Sequence, residues 1–80
     1  MTTTVYTITD ETGRECSKCT ATKKAMDRTG ITYEVREMTE ADREAFKKAG
    51  HMSAPVVVTD SDIWAGFRPD KILTLAGRES

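Results

Sequence analysis

Thr4-Val5-Tyr6-Thr7-Ile8, a polar passage from Asp10 to Glu15 around Gly13, then Cys16-Ser17-Lys18-Cys19 at the head of a segment that closes at Thr29-Gly30, then Ile31 to Glu37: this order reads as strand, helix, strand. The first run is rich in β-branched and aromatic residues, which suit a pleated, half-buried surface. From Ser17 to Thr29 the apolar or small residues Cys19, Thr22, Ala25, Met26 and Thr29 recur at helical spacing. Lys18, Lys23, Lys24 and Asp27 take other faces and Gly30 supplies a stop, so the segment predicts an amphipathic helix with Cys19 on its inward stripe. Ile31 to Glu37 alternates, with Tyr33 and Val35 on one face and Glu34 and Arg36 on the other, and predicts a second strand parallel to the first through the helix crossover.

Further along, Thr39-Glu40-Ala41-Asp42 has the pattern of a capping box. Ala41, Ala45, Phe46 and Ala49 form a stripe, Glu44 and Lys48 form an (i, i+4) pair, and Gly50 closes what is predicted as a second helix. Pro55 precedes Val56-Val57-Val58-Thr59, and Asp60-Ser61-Asp62 separates that run from Ile63-Trp64, which predicts a short hairpin. Pro69 suits the first turn of a last helix in which Ile72, Leu75 and Ala76 share the core face and Gly77 ends the run. The predicted order is β-α-β-α-β-β-α, an α/β layer fold.

With 80 residues, the chain is expected to form one domain, 1–80, around one small core. Twelve basic residues stand against thirteen acidic ones, for a net charge of -1, and they are scattered rather than run together, which argues against nucleic acid as a partner. No apolar run approaches the ~20 residues of a membrane span. Met1-Thr2-Thr3-Thr4 has neither the basic nor the apolar region of a signal peptide, so a cytoplasmic protein with no membrane partner is expected.

Cys16 and Cys19 carry the chemistry. A bond between them closes too small a ring to constrain the unfolded chain, so stabilisation does not explain the spacing. Disulfide exchange does. One helical turn brings the sulfurs within bonding reach, and a helix start favours a thiolate, with Arg14 and Lys18 close in sequence. Moving a thiol from about 8.5 to about 7 is worth roughly 2 kcal/mol and makes about half of it thiolate at pH 7. Cys16 sits at the end of a polar loop and Cys19 one turn inside the helix, which assigns Cys16 as the attacking and Cys19 as the resolving thiol. Three other readings compete. Two plain core cysteines leave the spacing unexplained. Structural zinc needs four ligands, and His51 is the only histidine. A copper carrier also uses two thiolates in this spacing, but in a β-α-β-β-α-β domain without the second helix predicted here.

Cys16-Ser17-Lys18-Cys19, Ser53-Ala54-Pro55-Val56-Val57 and above all Trp64-Ala65-Gly66-Phe67-Arg68-Pro69-Asp70 together resemble the NrdH-redoxin family, glutaredoxin-like proteins that behave like thioredoxins. The resemblance covers nearly the whole chain. It implies a thioredoxin fold, with a central four-stranded mixed sheet flanked by three helices. It implies a monomeric dithiol carrier with no bound cofactor, whose redox-active disulfide Cys16–Cys19 reduces a class Ib ribonucleotide reductase or another disulfide-containing protein. Thioredoxin reductase would reduce it in turn, at the expense of NADPH. By the same match Pro55 is a cis proline, Ala54, Pro55, Trp64, Gly66, Phe67 and Arg68 are partner-binding, and Ser17 and Lys18 help to tune the thiols. By the same resemblance Ala65-Gly66-Phe67-Arg68 fills with bulk the place where glutaredoxins proper receive glutathione, so glutathione is expected to bind poorly; a glutathione-dependent glutaredoxin is the alternative within the same chemistry. From the residues alone, Trp64 and Phe67 also read as core, Arg68 as a helix-start or ion-pair residue, and His51 and Met52 as loop and packing residues. The polar loop from Thr7 to Glu15 is longer than the family's usual approach to the first cysteine, which alters the partner-facing rim.

Overall fold

The computed structural model describes residues 3–9, 12–60 and 62–79; Met1, Thr2, Asp10, Glu11, Ser61 and Ser80 lie outside them. Two of these belong to the long polar loop and Ser61 to the hairpin turn, so those parts of the sequence reading fall outside the description. The elements are β1 (Thr4–Thr7), α1 (Ser17–Thr29), β2 (Glu34–Glu37), α2 (Glu40–Lys48), β3 (Val56–Val58), β4 (Ile63–Ala65) and α3 (Pro69–Glu79). The strands form one mixed sheet in the order β2-β1-β3-β4, with β1 and β2 parallel and the other two pairings antiparallel.

The register explains where the core sits. Val35, Val5, Val57 and Trp64 are successive partners across the sheet and so share one face. On that face Val5, Val57 and Trp64 pack with Met26 and Ile31 from and after α1 and with Ile72 and Leu75 of α3. Cys19 and Thr22 are buried on the same helix, and Thr22 satisfies its hydroxyl by donating to the Lys18 carbonyl at 2.9 Å. Tyr6, one residue out of phase with Val5, points to the opposite face and meets Phe46 of α2 edge-on, ring centroids 5.1 Å apart at 64°.

Five local expectations are corrected. β2 begins at Glu34 rather than Ile31, because Gly30 caps α1 at φ 75° and the Ile31 N–H returns to the Met26 carbonyl at 3.1 Å. Val35 is 45 % exposed despite sharing the inner face with Val5, since β2 is the sheet edge. The alanine stripe of α2 is not core. Ala41, Ala45 and Ala49 are exposed and no residue of α2 is buried, because Phe46 reaches Tyr6 while the one-carbon side chains stop short of the sheet. Glu44 and Lys48 form no ion pair among the described residues. Gly77 does not end α3, which continues to Glu79; a glycine stops a helix by turning left-handed, and Gly77 has no positive φ. The capping box is as read: the Asp42 N–H donates to Thr39 Oγ1 and the Thr39 N–H to Asp42 Oδ2, both at 3.1 Å.

The unequal coverage of the two faces sets a stability contrast. Ile72→Ala empties a site in the α1–α3 core and should lower the unfolding free energy by about 3 kcal/mol, whereas Thr39→Ala removes one exposed cap and should cost about 1 kcal/mol. Urea unfolding followed by circular dichroism checks the order.

Candidate active site

Beyond Thr7 the chain leaves the sheet, loops out and comes back beside its own exit. Thr9 bridges antiparallel to Glu15, and the Cys16 N–H donates to the Ile8 carbonyl at 3.2 Å. The return delivers Cys16 as the N-cap of α1, in extended backbone at φ -55° and ψ 136°, with the Thr20 N–H closing the first turn on its carbonyl at 3.1 Å. Cys16 is half-buried, Cys19 is fully buried, and both are free thiols.

As a neutral thiol Cys16 makes no side-chain capping hydrogen bond. Its ionised form is another matter. Partial burial works against the charge, but the N–H groups of Cys19 and Lys18, the Cys19 thiol and the Lys18 ammonium together outweigh it and hold the Cys16 thiol below its ordinary value. Cys19 goes the other way. Burial, opposed by the Ile8 N–H and reinforced by the Cys16 and Glu15 charges, pushes it up to about 11. The pair therefore holds one thiol ready to ionise at the surface and one kept neutral beneath it.

Two adjoining cavities open at this point. One, of about 440 Å³, is lined by Cys16, Arg14, Glu15, Ser17, Thr9, Ile8 and Arg43. The second, of about 480 Å³, shares Ile8 and Arg43 and continues past Met38, Lys47, His51, Met52 and Ala54. Arg14 and Ser17 thus sit beside Cys16, and the Lys18 ammonium is among the groups that lower its thiol. His51 and Met52, read from sequence as packing residues, line the second cavity, and Met52 is largely exposed.

The Ala54–Pro55 bond is cis. Pro55 is buried and its carbonyl accepts from the Gly66 N–H at 2.8 Å. Gly66 has φ 79°, and a Cβ there would lie 3.7 Å from the Ser53 Cβ, so the segment after β4 packs directly on the proline loop. Trp64 is buried in the core, with its Nε1 unpartnered among the described residues. Phe67 is 41 % exposed. Arg68 is paired within its own helix start, Nε and Nη2 donating to the two oxygens of Asp70 at 3.2 and 3.0 Å. None of these four lines either cavity.

The glutaredoxin family model matches residues 3–64, a span that holds the dithiol, the cis proline and Trp64. The chain belongs to the glutaredoxin family. Among its relatives, the glutaredoxin-like protein NrdH of Escherichia coli K12 is 40% identical over 70 residues, covering 81% of this chain and 83% of that protein. NrdH of Salmonella typhimurium is 34% identical over 67 residues, with the same coverage. The solved NrdH-redoxin of Escherichia coli superposes with a TM-score of 0.81 at 36% identity, over 94% of this chain and 95% of that one. Its thioredoxin-like architecture is the β-α-β-α-β-β-α order described above. This glutaredoxin-like protein is a thiol-disulfide oxidoreductase, a redox-active dithiol protein of a family that works without a bound cofactor. The element order sets it apart from the β-α-β-β-α-β copper carriers.

Two features escaped the sequence reading. Ile8 holds both cysteines through its backbone, its carbonyl accepting from the Cys16 N–H and its own N–H facing the Cys19 thiol, which side-chain identity does not announce. Glu15 accepts from Thr20 Oγ1 at 3.0 Å and from Lys23 Nζ at 2.7 Å, contacts that need the loop's return path to be known.

The split between the thiols makes pH predictions of definite sign. Iodoacetamide alkylation of the reduced protein should rise with a midpoint below 9.0, and Cys16→Ser should remove that limb, leaving a slow one above it. Stability follows Cys19. An unfolded thiol ionises near 9 and the folded one near 11, so above pH 9 the unfolded chain has lost the proton first and the fold weakens as pH rises through that window. The Tm of the reduced protein should fall between pH 9 and 11, and much less so for Cys19→Ser.

Proposed function

We propose that this protein is a cytoplasmic, monomeric, single-domain dithiol electron carrier of the NrdH-redoxin type. The asymmetry of the two thiols carries the reading. The Cys16 thiolate attacks one sulfur of a client disulfide, forming a mixed disulfide and releasing the other client sulfur as a thiolate. Cys19 then loses its proton, attacks Cys16 Sγ, closes the Cys16–Cys19 disulfide and releases the second client thiolate. The client gains two electrons and the carrier gives them up. Thioredoxin reductase, drawing on NADPH, returns them, and a class Ib ribonucleotide reductase is the client.

Support for the reductant comes from the solved relative, which is described as glutaredoxin-like with a thioredoxin-like activity profile. Ala54 in the second cavity, with Pro55 behind it, would receive an extended partner segment; Gly66 packs on Ser53, with Phe67 and Arg68 exposed beyond it, and Trp64 supports the segment from the core. Phe67 and Arg68 put bulk where glutathione sits in other glutaredoxins.

NADPH oxidation in a disulfide-reduction assay tests this directly, run with thioredoxin reductase and, separately, with glutathione plus glutathione reductase. Turnover with thioredoxin reductase alone is expected, followed by reduction of the ribonucleotide reductase. Turnover only with glutathione would replace the reading by that of a glutathione-dependent glutaredoxin. Cys19→Ser should accumulate a mixed disulfide on Cys16, and Cys16→Ser should abolish turnover.

A further inference from the structure

Glu15 is the last residue of the polar loop and the chain neighbour of Cys16, yet its carboxylate does not face solvent alone. It is gripped by Thr20 and Lys23 on the first two turns of α1, at 3.0 and 2.7 Å, with the Lys23 and Glu15 side chains only 29% and 23% exposed. Lys23 is four residues beyond Cys19 and Thr20 is its next neighbour, so the carboxylate bound to both lies along the helix edge that carries the buried thiol. An ion pair in this position is poorly screened by water. We infer that Glu15 and Lys23 act as opposed positioning residues of the dithiol: the Glu15 charge makes the reduced protein a stronger electron donor, and Lys23 mutes it.

The electron balance gives the sign. Between the alkylation midpoint of Cys16 and the higher range of Cys19, the pH window in which the equilibria below are read, the disulfide takes up two electrons and one proton to give the Cys16 thiolate and the Cys19 thiol, so the reduced form carries a negative charge that the oxidised form lacks. A neighbouring carboxylate disfavours that charge and lowers the reduction potential; a neighbouring ammonium raises it. The Glu15 charge is one of those that raise the Cys19 thiol. Other charged groups near the site are Lys18 on α1, Arg14 on the loop and Arg43 on α2, with Glu40, Glu44 and Lys47 of α2 along the adjoining cavity. Behind Lys23, Tyr33 donates to Asp27 at 2.9 Å and to the Lys23 carbonyl at 3.4 Å. All of these are unchanged by substitution of the pair itself.

The inference rests on Cys16 and Cys19 forming the redox disulfide, and the test separates the two. Purified Glu15→Gln, Lys23→Gln, the double variant and Lys23→Arg are equilibrated with dithiothreitol buffers, and the oxidised fraction is read alongside the alkylation midpoint of Cys16. Glu15→Gln should shift the equilibrium about threefold toward the reduced protein, about 14 mV upward in potential, with a lower Cys16 midpoint. Lys23→Gln should shift both by a similar amount in the opposite direction, the double variant should return close to the parent, and Lys23→Arg should leave the parent values in place. Shifts of the same sign in both single variants, or none, would reduce the pair to a structural clamp and overturn the inference. Failure of any variant to form a Cys16–Cys19 disulfide would instead remove the reading on which it rests.

Discussion

A helix start without an ordinary cap is the constraint on which this molecule turns. The first N–H groups of α1 have no intrahelical partner, and the residue placed to serve them is a cysteine. A neutral thiol serves them poorly and a thiolate serves them well, so the demand of the helix for an acceptor becomes a bias toward ionisation. The same turn sends Cys19 inward, where burial has the reverse effect. The division of labour between two chemically identical groups thus follows from where the helix begins.

The sheet keeps that helix start in place. β1 ends beneath it, and the Ile8 backbone spans the junction, its carbonyl taken by the Cys16 N–H and its own N–H directed to the Cys19 sulfur. α1 is held down by Met26 against the row of Val5, Val57 and Trp64, with Cys19 and Thr22 buried along the same helix, and α3 joins the cluster through Ile72 and Leu75. The apolar packing of the inner face is therefore also what fixes the sulfurs relative to the cavity.

The elements with a strong period were legible. The Thr4 strand, the Ser17–Thr29 helix, the Thr39 capping box and the Pro69 start all have local chemistry that decides them, and the two cysteines declared themselves by spacing. What misled were residues whose fate depends on distant coverage. Val35 has the right alternation but lies at an edge, the α2 alanines have the right spacing but too little reach, and Gly77 has the right identity but not the left-handed backbone. In the site, Ile8 and the Glu15–Lys23 pair were hidden for a related reason. One acts through its backbone and the other across a loop whose closure by Thr9 and Glu15 no sequence period encodes.

α2 rests on its side of the sheet by the ring of Phe46 against Tyr6 and buries no residue fully, yet it supplies Arg43 and Lys47 to the cavities before Cys16. Elements with few buried contacts open at a small fraction of the global unfolding free energy. The cleft consequently has walls of unequal stiffness. The wall bearing the sulfurs is anchored to the buried core through Cys19, Thr22 and Met26, while the facing wall can yield, so the cleft can widen for a bulky client without disturbing the geometry of the dithiol.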